Sequence, residues 1–514
     1  MERGQDINEN EDTNRSKLSL NLIANYLGQG WSAVMALVFM PQYIDVLGAE
    51  AFGLVGFYVV VQMLLSVFDF GITPTLSREM AKYKAGSLKG QTISSILSSL
   101  EICIVSIACL IFFSLWLISD LVATEWLSTE TLSKLTVSNA FVLMGLAISL
   151  RFIEAIYKGS LIGLEEQVWF NLINAGLATL RFAGVLIVLA FYSSSIETFF
   201  YWQAIVSLVA LILFRNRTLS CLPVGIKYKK FDVNVIKNVW KFASGMLSIS
   251  LLSLLLTQTD KIILSKLLTL TEFSYYTLAV TVAGSLYMVI IPITQAFYPR
   301  MINLVEVGDN RLLKEIFHQA TQLVNVLILP VVLTLVLFTD AIIYAWTGNQ
   351  DLTNNVVPIL SIYVIGSYFN GLVNIPYHLQ LSHGWTSLSV KMNVVTLMLL
   401  GPFIIWLTPT FGAIGASYVW MSINLVYFVF GSLLMFKRIL PEARNRWFFV
   451  DLGLPSFLMT GMGVVIFLAV DIGGPSRMLN LVSIFGVLIT LVIVGVLSSG
   501  EIRKLISGGR DVKG

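Results

Sequence analysis

The sequence predicts an all-α integral membrane protein of about fourteen transmembrane helices, two pseudo-symmetric six-helix lobes followed by two C-terminal helices. Three observations predict it. Hydrophobic residues make up 56% of the 514 and charged residues 12%, with a mean hydropathy of +0.81, far outside the range of a soluble domain. Fourteen stretches approach the ~20 apolar residues that a helix needs to cross the ~30 Å hydrocarbon layer. With the N-terminus inside, 27 of the 33 lysines and arginines fall in cytoplasmic tails and loops, whereas the outer loops hold only Lys134, Lys266 and Arg477. Adding or removing one span would reverse every later loop, so the asymmetry supports both the number of spans and the cytoplasmic placement of both termini.

Residues 1–17, "MERGQDINENEDTNRSK", are polar and acid-rich and read as a cytoplasmic tail, unlike the basic start of a cleavable signal. The first lobe, 18–214, holds apolar stretches at roughly 18–44, 51–76, 93–119, 135–157, 168–191 and 198–214. A basic cytoplasmic linker, 215–238, is the longest connection. The second lobe, 239–436, holds stretches at roughly 239–265, 273–297, 317–338, 356–380, 392–407 and 413–436. Residues 437–498 combine a basic loop with the last two stretches, roughly 449–470 and 479–498, and 499–514 is a second cytoplasmic tail. The lobes look like parallel copies: 52–78 runs from "FGLVGFYV" to "ITPTLSR" and 273–300 from "FSYYTLAV" to "ITQAFYPR". Pro292, Pro376 and Pro402 are read either as breaks within apolar spans that free backbone carbonyls or as simple kinks that aid packing.

Composition and motifs exclude several functions. A net charge of +3 is too small for a nucleic-acid partner. The three cysteines have no paired spacing, so neither a disulfide framework nor a zinc site is indicated. No GxxxxGK[ST] loop is present to cradle a nucleotide, so energy must come from a gradient or from the solute itself. His378 and His383 lie five apart and diverge on a helix, which argues against a metal pair. No cofactor is expected, and an enzyme that builds or joins sugars would need larger aqueous loops than these.

The segments "PQYIDVLGAEAFGLVGFY", "FDFGITPTLSREMA", "TDKIILSKLLTLTEFSYYTLA" and "PYHLQLSHGWTSLSVKMN" resemble those of the Wzx-type O-antigen flippases. These form the polysaccharide-transporter branch of the superfamily that also holds the multidrug and toxic compound extruders and the lipid II flippase. The resemblance covers nearly the whole chain through loose patterns rather than a catalytic signature. It implies two six-helix lobes around a central cavity opening alternately to each side of the bacterial inner membrane. The cargo it implies is an undecaprenyl-diphosphate-linked oligosaccharide moved from the cytoplasmic to the periplasmic leaflet. It leaves contact with a polymerase or a chain-length regulator of the pathway open. The alternatives are a proton- or sodium-coupled extruder of drugs or small cations with the same fold, and a non-transporting membrane enzyme or scaffold of polysaccharide assembly.

A diphosphate crosses hydrocarbon only where cations line a wet cavity. Arg151, Arg181 and Lys261 are the three cations within spans and form a candidate ladder across the membrane for the diphosphate. Arginine suits phosphate because its planar fork bonds two oxygens at once. The bland readings are that Lys261 reaches back to the outer surface, that Arg151 pairs with Glu154 three positions on, and that Arg181 is a structural arginine buried against an acid. The ion-coupling candidates are Glu154, Asp260, Asp69 and Glu101, carboxylates whose proton affinity shifts as a cavity opens and closes. Asp69, in "VFDFG" near a span end, reads equally as a helix-terminus residue. Asp260 and Lys261 are adjacent, so on a helix they point about 100° apart, and each is expected to address a partner outside its own helix.

Overall fold

The computed structural model describes residues 27–222 and 251–506, apart from residues 29, 70, 85, 87, 252, 253, 256, 386, 471 and 473–476. The expected tail at 1–17, residues 223–238 of the linker, the first part of the seventh stretch and residues 507–514 lie outside the described residues. Among the described residues there is no strand, only an isolated bridge between Ser128 and Thr269, and twelve helical runs are long and apolar enough to cross a membrane. That helices alone cross is a matter of hydrogen bonding, because hydrocarbon offers no partner to an open backbone amide or carbonyl.

Described residues within Met1–Gln258, with Thr269–Thr271, form one compact unit. It contains α1 (Gly30–Leu47), α2 (Ala49–Leu65), α3 (Ile72–Lys84), α4 (Gly90–Leu121), α5 (Lys134–Gly163), α6 (Gln167–Phe191) and α7 (Ile196–Ser220). The sequence reads 51–76 as one stretch, but a 3-10 turn at Ser66–Asp69 and Gly71 in the left-handed region (φ 72) divide α2 from α3. Helix α5 is the unit's central helix, packed against α7, α4 and α3, and α3 lies very close against its C-terminal end. The reason is "GSLIG" at its C-terminal end: Gly159 and Gly163, four apart, let the α3 backbone at Thr73 and Ser77 approach so closely that a Cβ at Gly163 would overlap the Ser77 carbonyl. Close backbone approach through small residues is how helices gain packing energy in lipid, where apolar side chains gain nothing by leaving the solvent.

Described residues within Thr259–Leu268 and Glu272–Gly514 form the second unit. They include most of α8 (257–267), the greater part of α9 (Leu270–Gly284), then α10 (Tyr287–Val307), α11 (Asn310–Leu337), α12 (Thr339–Thr347) and α13 (Gln350–Ser382). These are followed by α14 (Ser387–Val426), α15 (Ser432–Arg438), α16 (Ala443–Arg446), α17 (Leu454–Ala469), α18 (Arg477–Ser498) and α19 (Gly500–Ile506). The run Ser387–Arg438 takes in two expected stretches, and its one non-helical position is Gly412 (φ 57, ψ −143). Breaks do not occur at the prolines: α10, α13 and α14 continue through Pro292, Pro376 and Pro402. One lost amide hydrogen bond is tolerable when neighbouring helices hold the backbone, whereas the glycine conformation at 412 ends the helix outright.

The second unit has a polar knot on α11. Asp451, wholly buried, pairs with His318 and accepts a 2.8 Å hydrogen bond from Gln322 Nε2. Asn325 donates to Ser456 Oγ at 3.1 Å and accepts from Tyr368 at 2.8 Å. The Glu501 amide donates to Gln322 Oε1 at 3.0 Å, and Arg446 reaches the Glu501 carboxylate at 2.6 Å. Helices α17 and α19 are thereby fastened to α11 by bonds that a buried polar group must make or forfeit about 1–3 kcal/mol.

Candidate functional site

The charged residues of the first unit converge where α2, α5, α6 and α7 meet. Arg151, Glu154 and Lys158 are spaced at i, i+3 and i+7 on α5 and so share one face of that helix. Glu154 is 1% exposed, and two cations stand at its carboxylate: Lys158 Nζ lies 2.6 Å from Oε1, an ion pair without hydrogen-bond geometry, and Arg181 Nη2 lies 3.4 Å from Oε2. Arg181 arrives from α6 with its side chain 12% exposed.

The pairing of Arg151 with Glu154 expected from their spacing is not what the fold makes. Arg151 instead donates from Nη1 to Gln62 Oε1 at 2.7 Å and from Nη2 to Gln203 Oε1 at 3.2 Å. Its guanidinium lies 5.4 Å from the centre of the Tyr58 ring, within cation–π range. The physical reason is competition: Lys158 and Arg181 already occupy the Glu154 oxygens, so Arg151 is left to neutral acceptors. Gln203 also joins the two arginines, accepting from Arg151 while its Nε2 donates to the Arg181 carbonyl at 3.4 Å. Three cations thus face one carboxylate. The Nε–H groups of Arg151 and Arg181 are buried and have no hydrogen-bond partner among the described residues.

Lys158 belongs, on sequence, to the cytoplasmic basic residues, and its place in this cluster was missed. Its signal was the i+4 step from Glu154. Tyr58, Gln62 and Gln203 were also missed. Being neutral they leave no charge pattern, but Gln62 in "YVVVQMLL" and Gln203 in "FFYWQAIV" are lone amides in apolar runs, which is the one signal available.

Glu101 and Asp69 take other partners within the first unit, and Asp260 and Lys261 belong to the second. Glu101 pairs with Arg215 at 3.2 Å, joining α4 to the end of α7. Asp69 accepts from the Thr73 amide at 3.2 Å and from the Thr73 hydroxyl at 2.7 Å, the role of a residue that caps the start of α3. In the second unit Asp260 is 5% exposed and accepts a 2.6 Å hydrogen bond from the Tyr276 hydroxyl. The Tyr276 ring meets Tyr363 edge-on at 5.9 Å, and Tyr363 stacks on Trp420 at 5.3 Å. Lys261 Nζ lies 3.8 Å from Asp260 Oδ1, so these neighbours approach one another more closely than their helical angle suggests, because the long lysine stem bends back; no hydrogen bond closes the gap. Arg151 and Arg181 therefore share one cluster, while Lys261 belongs to a separate one in the second unit.

A groove of about 410 Å³ in the second unit is lined by apolar and aromatic side chains such as Phe403, Trp406, Tyr418 and Tyr427 and carries no charged residue.

Comparison with known proteins agrees with this architecture. The profile of a family described as polysaccharide biosynthesis protein matches residues 18–305, more than half of the chain. A Shigella flexneri protein provisionally named an O-antigen transporter is 21% identical over 411 residues, 79% of this chain and 94% of that protein. The lipopolysaccharide biosynthesis protein WzxC of Escherichia coli (strain K12) is 21% identical over 449 residues, 84% of each chain. Among solved structures, the lipid II flippase MurJ in an inward closed conformation superposes with a TM-score of 0.70 at 16% identity, covering 95% of this chain and 99% of that one. An inward-facing multidrug resistance transporter of the MATE family superposes with a TM-score of 0.62 at 14% identity, over 80% of this chain and 96% of that one. At these identities the solved structures show the fold.

Proposed function

The chain belongs to the polysaccharide biosynthesis protein family, and we propose that within it this protein is a flippase for an undecaprenyl-diphosphate-linked oligosaccharide, an O-antigen or similar repeat unit. The cargo moves from the cytoplasmic to the periplasmic leaflet of the bacterial inner membrane by alternating access, coupled to an ion gradient as an antiport. The observation that carries the reading is the charge balance of the first-unit cluster. Arg151, Arg181 and Lys158 against Glu154 leave an excess of two positive charges. The cargo's diphosphate carries one negative charge on each phosphate, so the two match in sign and number. An arginine's fork bonds such oxygens bidentately, and in a poorly solvated interior each bond is stronger than in water.

Ion coupling falls to the acids. Asp260, buried and hydrogen-bonded by Tyr276, pairs with none of the first-unit cations, which suits a carboxylate that gains and loses a proton or cation during the cycle. One observation favours an extruder of organic cations: Asp260 stands beside the aromatic rings of Tyr276, Tyr363 and Trp420, the chemistry of a cation cage. Lys261, 3.8 Å from the same carboxylate, opposes it by supplying the positive charge already.

The test is complementation of a strain that lacks its own O-antigen flippase. The protein should restore surface polysaccharide, and Arg151→Ala combined with Arg181→Ala should lose it at normal membrane abundance. Full restoration by the double variant would remove the cluster from the transport path, and drug resistance without polysaccharide would select the extruder.

A further inference from the structure

Glu154 poses a problem for an anion site. A buried carboxylate in the middle of three cations is the last group expected where a diphosphate must bind. We propose that Glu154 is a resident competitor: it occupies the anion's place on Arg181 while the site is empty, and the incoming diphosphate displaces it. This rests on the reading of the cluster as the cargo's diphosphate site.

The geometry divides the two contacts that Glu154 makes. Lys158 is four positions further along the same helix and 2.6 Å away, so that ion pair is local to α5 and moves with it. Arg181 comes from another helix, meets Glu154 through a single nitrogen at 3.4 Å, and keeps its Nε–H without a partner. A guanidinium has five donors in a planar fork and is satisfied by two oxygens side by side. Here one donor is used at long range, so a phosphate offering two oxygens outcompetes a carboxylate that is tied to Lys158. Arg151 is similarly underused, because both its acceptors, Gln62 and Gln203, are neutral amides that leave its charge uncompensated.

A competitor is useful for two physical reasons. Three cations with no anion among them would repel one another at short range and destabilise the empty unit. Conversely, a fully cationic pocket would hold a diphosphate too tightly to release it, and transport requires binding strong enough to load but weak enough to unload. A carboxylate on a fixed tether serves both ends: it neutralises the empty site and returns to Arg181 as the cargo departs.

The test is binding of inorganic pyrophosphate to the full-length protein in detergent, measured by calorimetry for the wild type, Glu154→Gln, Glu154→Asp, and Glu154→Gln combined with Arg181→Ala. Glu154→Gln should bind about tenfold tighter than wild type, within the usual range of coupling between two occupants. Glu154→Asp, with its carboxylate drawn back towards α5, should fall between the two, and Arg181→Ala should cancel the gain. In cells Glu154→Gln should export less at normal abundance, since release is slowed. The same titration with phosphatidylglycerol in mixed micelles should show a smaller gain. A larger gain there would assign the site to a single-phosphate headgroup and overturn the proposal. Unchanged or weaker pyrophosphate binding by both Glu154 variants would mark Glu154 as structural, and absence of pyrophosphate binding in every form would also overturn it. The flippase reading is decided separately, by complementation.

Discussion

Arg181 and Glu154, 27 positions apart on consecutive helices, meet at 3.4 Å where Glu154 is 1% exposed. The contact makes Arg181 a partner of a buried acid as well as a candidate for the diphosphate, and the two roles separate by substitution. Arg181→Lys keeps the charge without the fork and should retain partial export. Arg181→Ala should export less, with Glu154 still held by Lys158. Arg181→Glu sets a second carboxylate against Glu154 and should lower the amount of folded protein as well as export. Membrane abundance and surface O-antigen, measured together, check the order; full export by Arg181→Ala would contradict it.

The hydrogen bond from Tyr276 to Asp260 gives the coupling proposal its sharpest test. Asp260→Asn keeps the shape and removes the exchangeable charge, so export should become insensitive to an uncoupler or stop, with the protein still in the membrane. Tyr276→Phe leaves the carboxylate in place with one buried oxygen deprived of its donor, and should weaken export less. Wild-type export by Asp260→Asn with an unchanged uncoupler response would move the coupling site elsewhere.

Gly163 decides how closely α5 lies on α3. A Cβ there would overlap the Ser77 carbonyl and crowd Met80, whereas at Gly176 on α6 it would meet nothing within 4 Å. Gly163→Ala should cost about 1–3 kcal/mol through overpacking. Gly176→Ala should be nearly neutral. Melting temperatures of the two variants in detergent provide the comparison, and because α5 carries Arg151, Glu154 and Lys158, only the first should also weaken export.

The C-terminal helix should respond to acid through Glu501. Burial alone would raise its carboxyl, but the hydrogen bonds from Arg446 and Lys504 outweigh it and hold it below the usual 4.5. A carboxylate depressed in the folded state stabilises at pH values above its unfolded value and ceases to do so as pH falls through the folded one. The melting-temperature advantage of wild type over Glu501→Gln should therefore be present at neutral pH and disappear as pH falls through the carboxyl's depressed folded value.

Sidedness is open to direct labelling. Cysteines placed at Ser194 and Asn349 should react with an impermeant reagent from outside intact cells, and one at Asn445 should not. Reaction at Asn445 would reverse the orientation that the basic residues predict.

By itself the sequence determined the solvent, the all-helical class and the family, because each is written in short windows. Apolar runs of membrane-crossing length admit only helices once water is removed. It also placed Arg151 and Glu154 on one face, since helical spacing is local, but left Lys158 among the cytoplasmic basic residues. What only the tertiary structure decided is who pairs with whom. Glu154 had three cations within reach and took Lys158 and Arg181, leaving Arg151 to Gln62 and Gln203, 89 and 52 positions away. Asp69, which by sequence reads either as a coupling acid or as a helix-terminus residue, spends its oxygens on Thr73 at a helix start. Glu501, in an expected cytoplasmic tail, is folded onto Gln322, 179 positions back. Such pairings follow from which helices touch and at what height, a property of packing between distant segments to which neutral glutamines and single acids contribute no periodic signal.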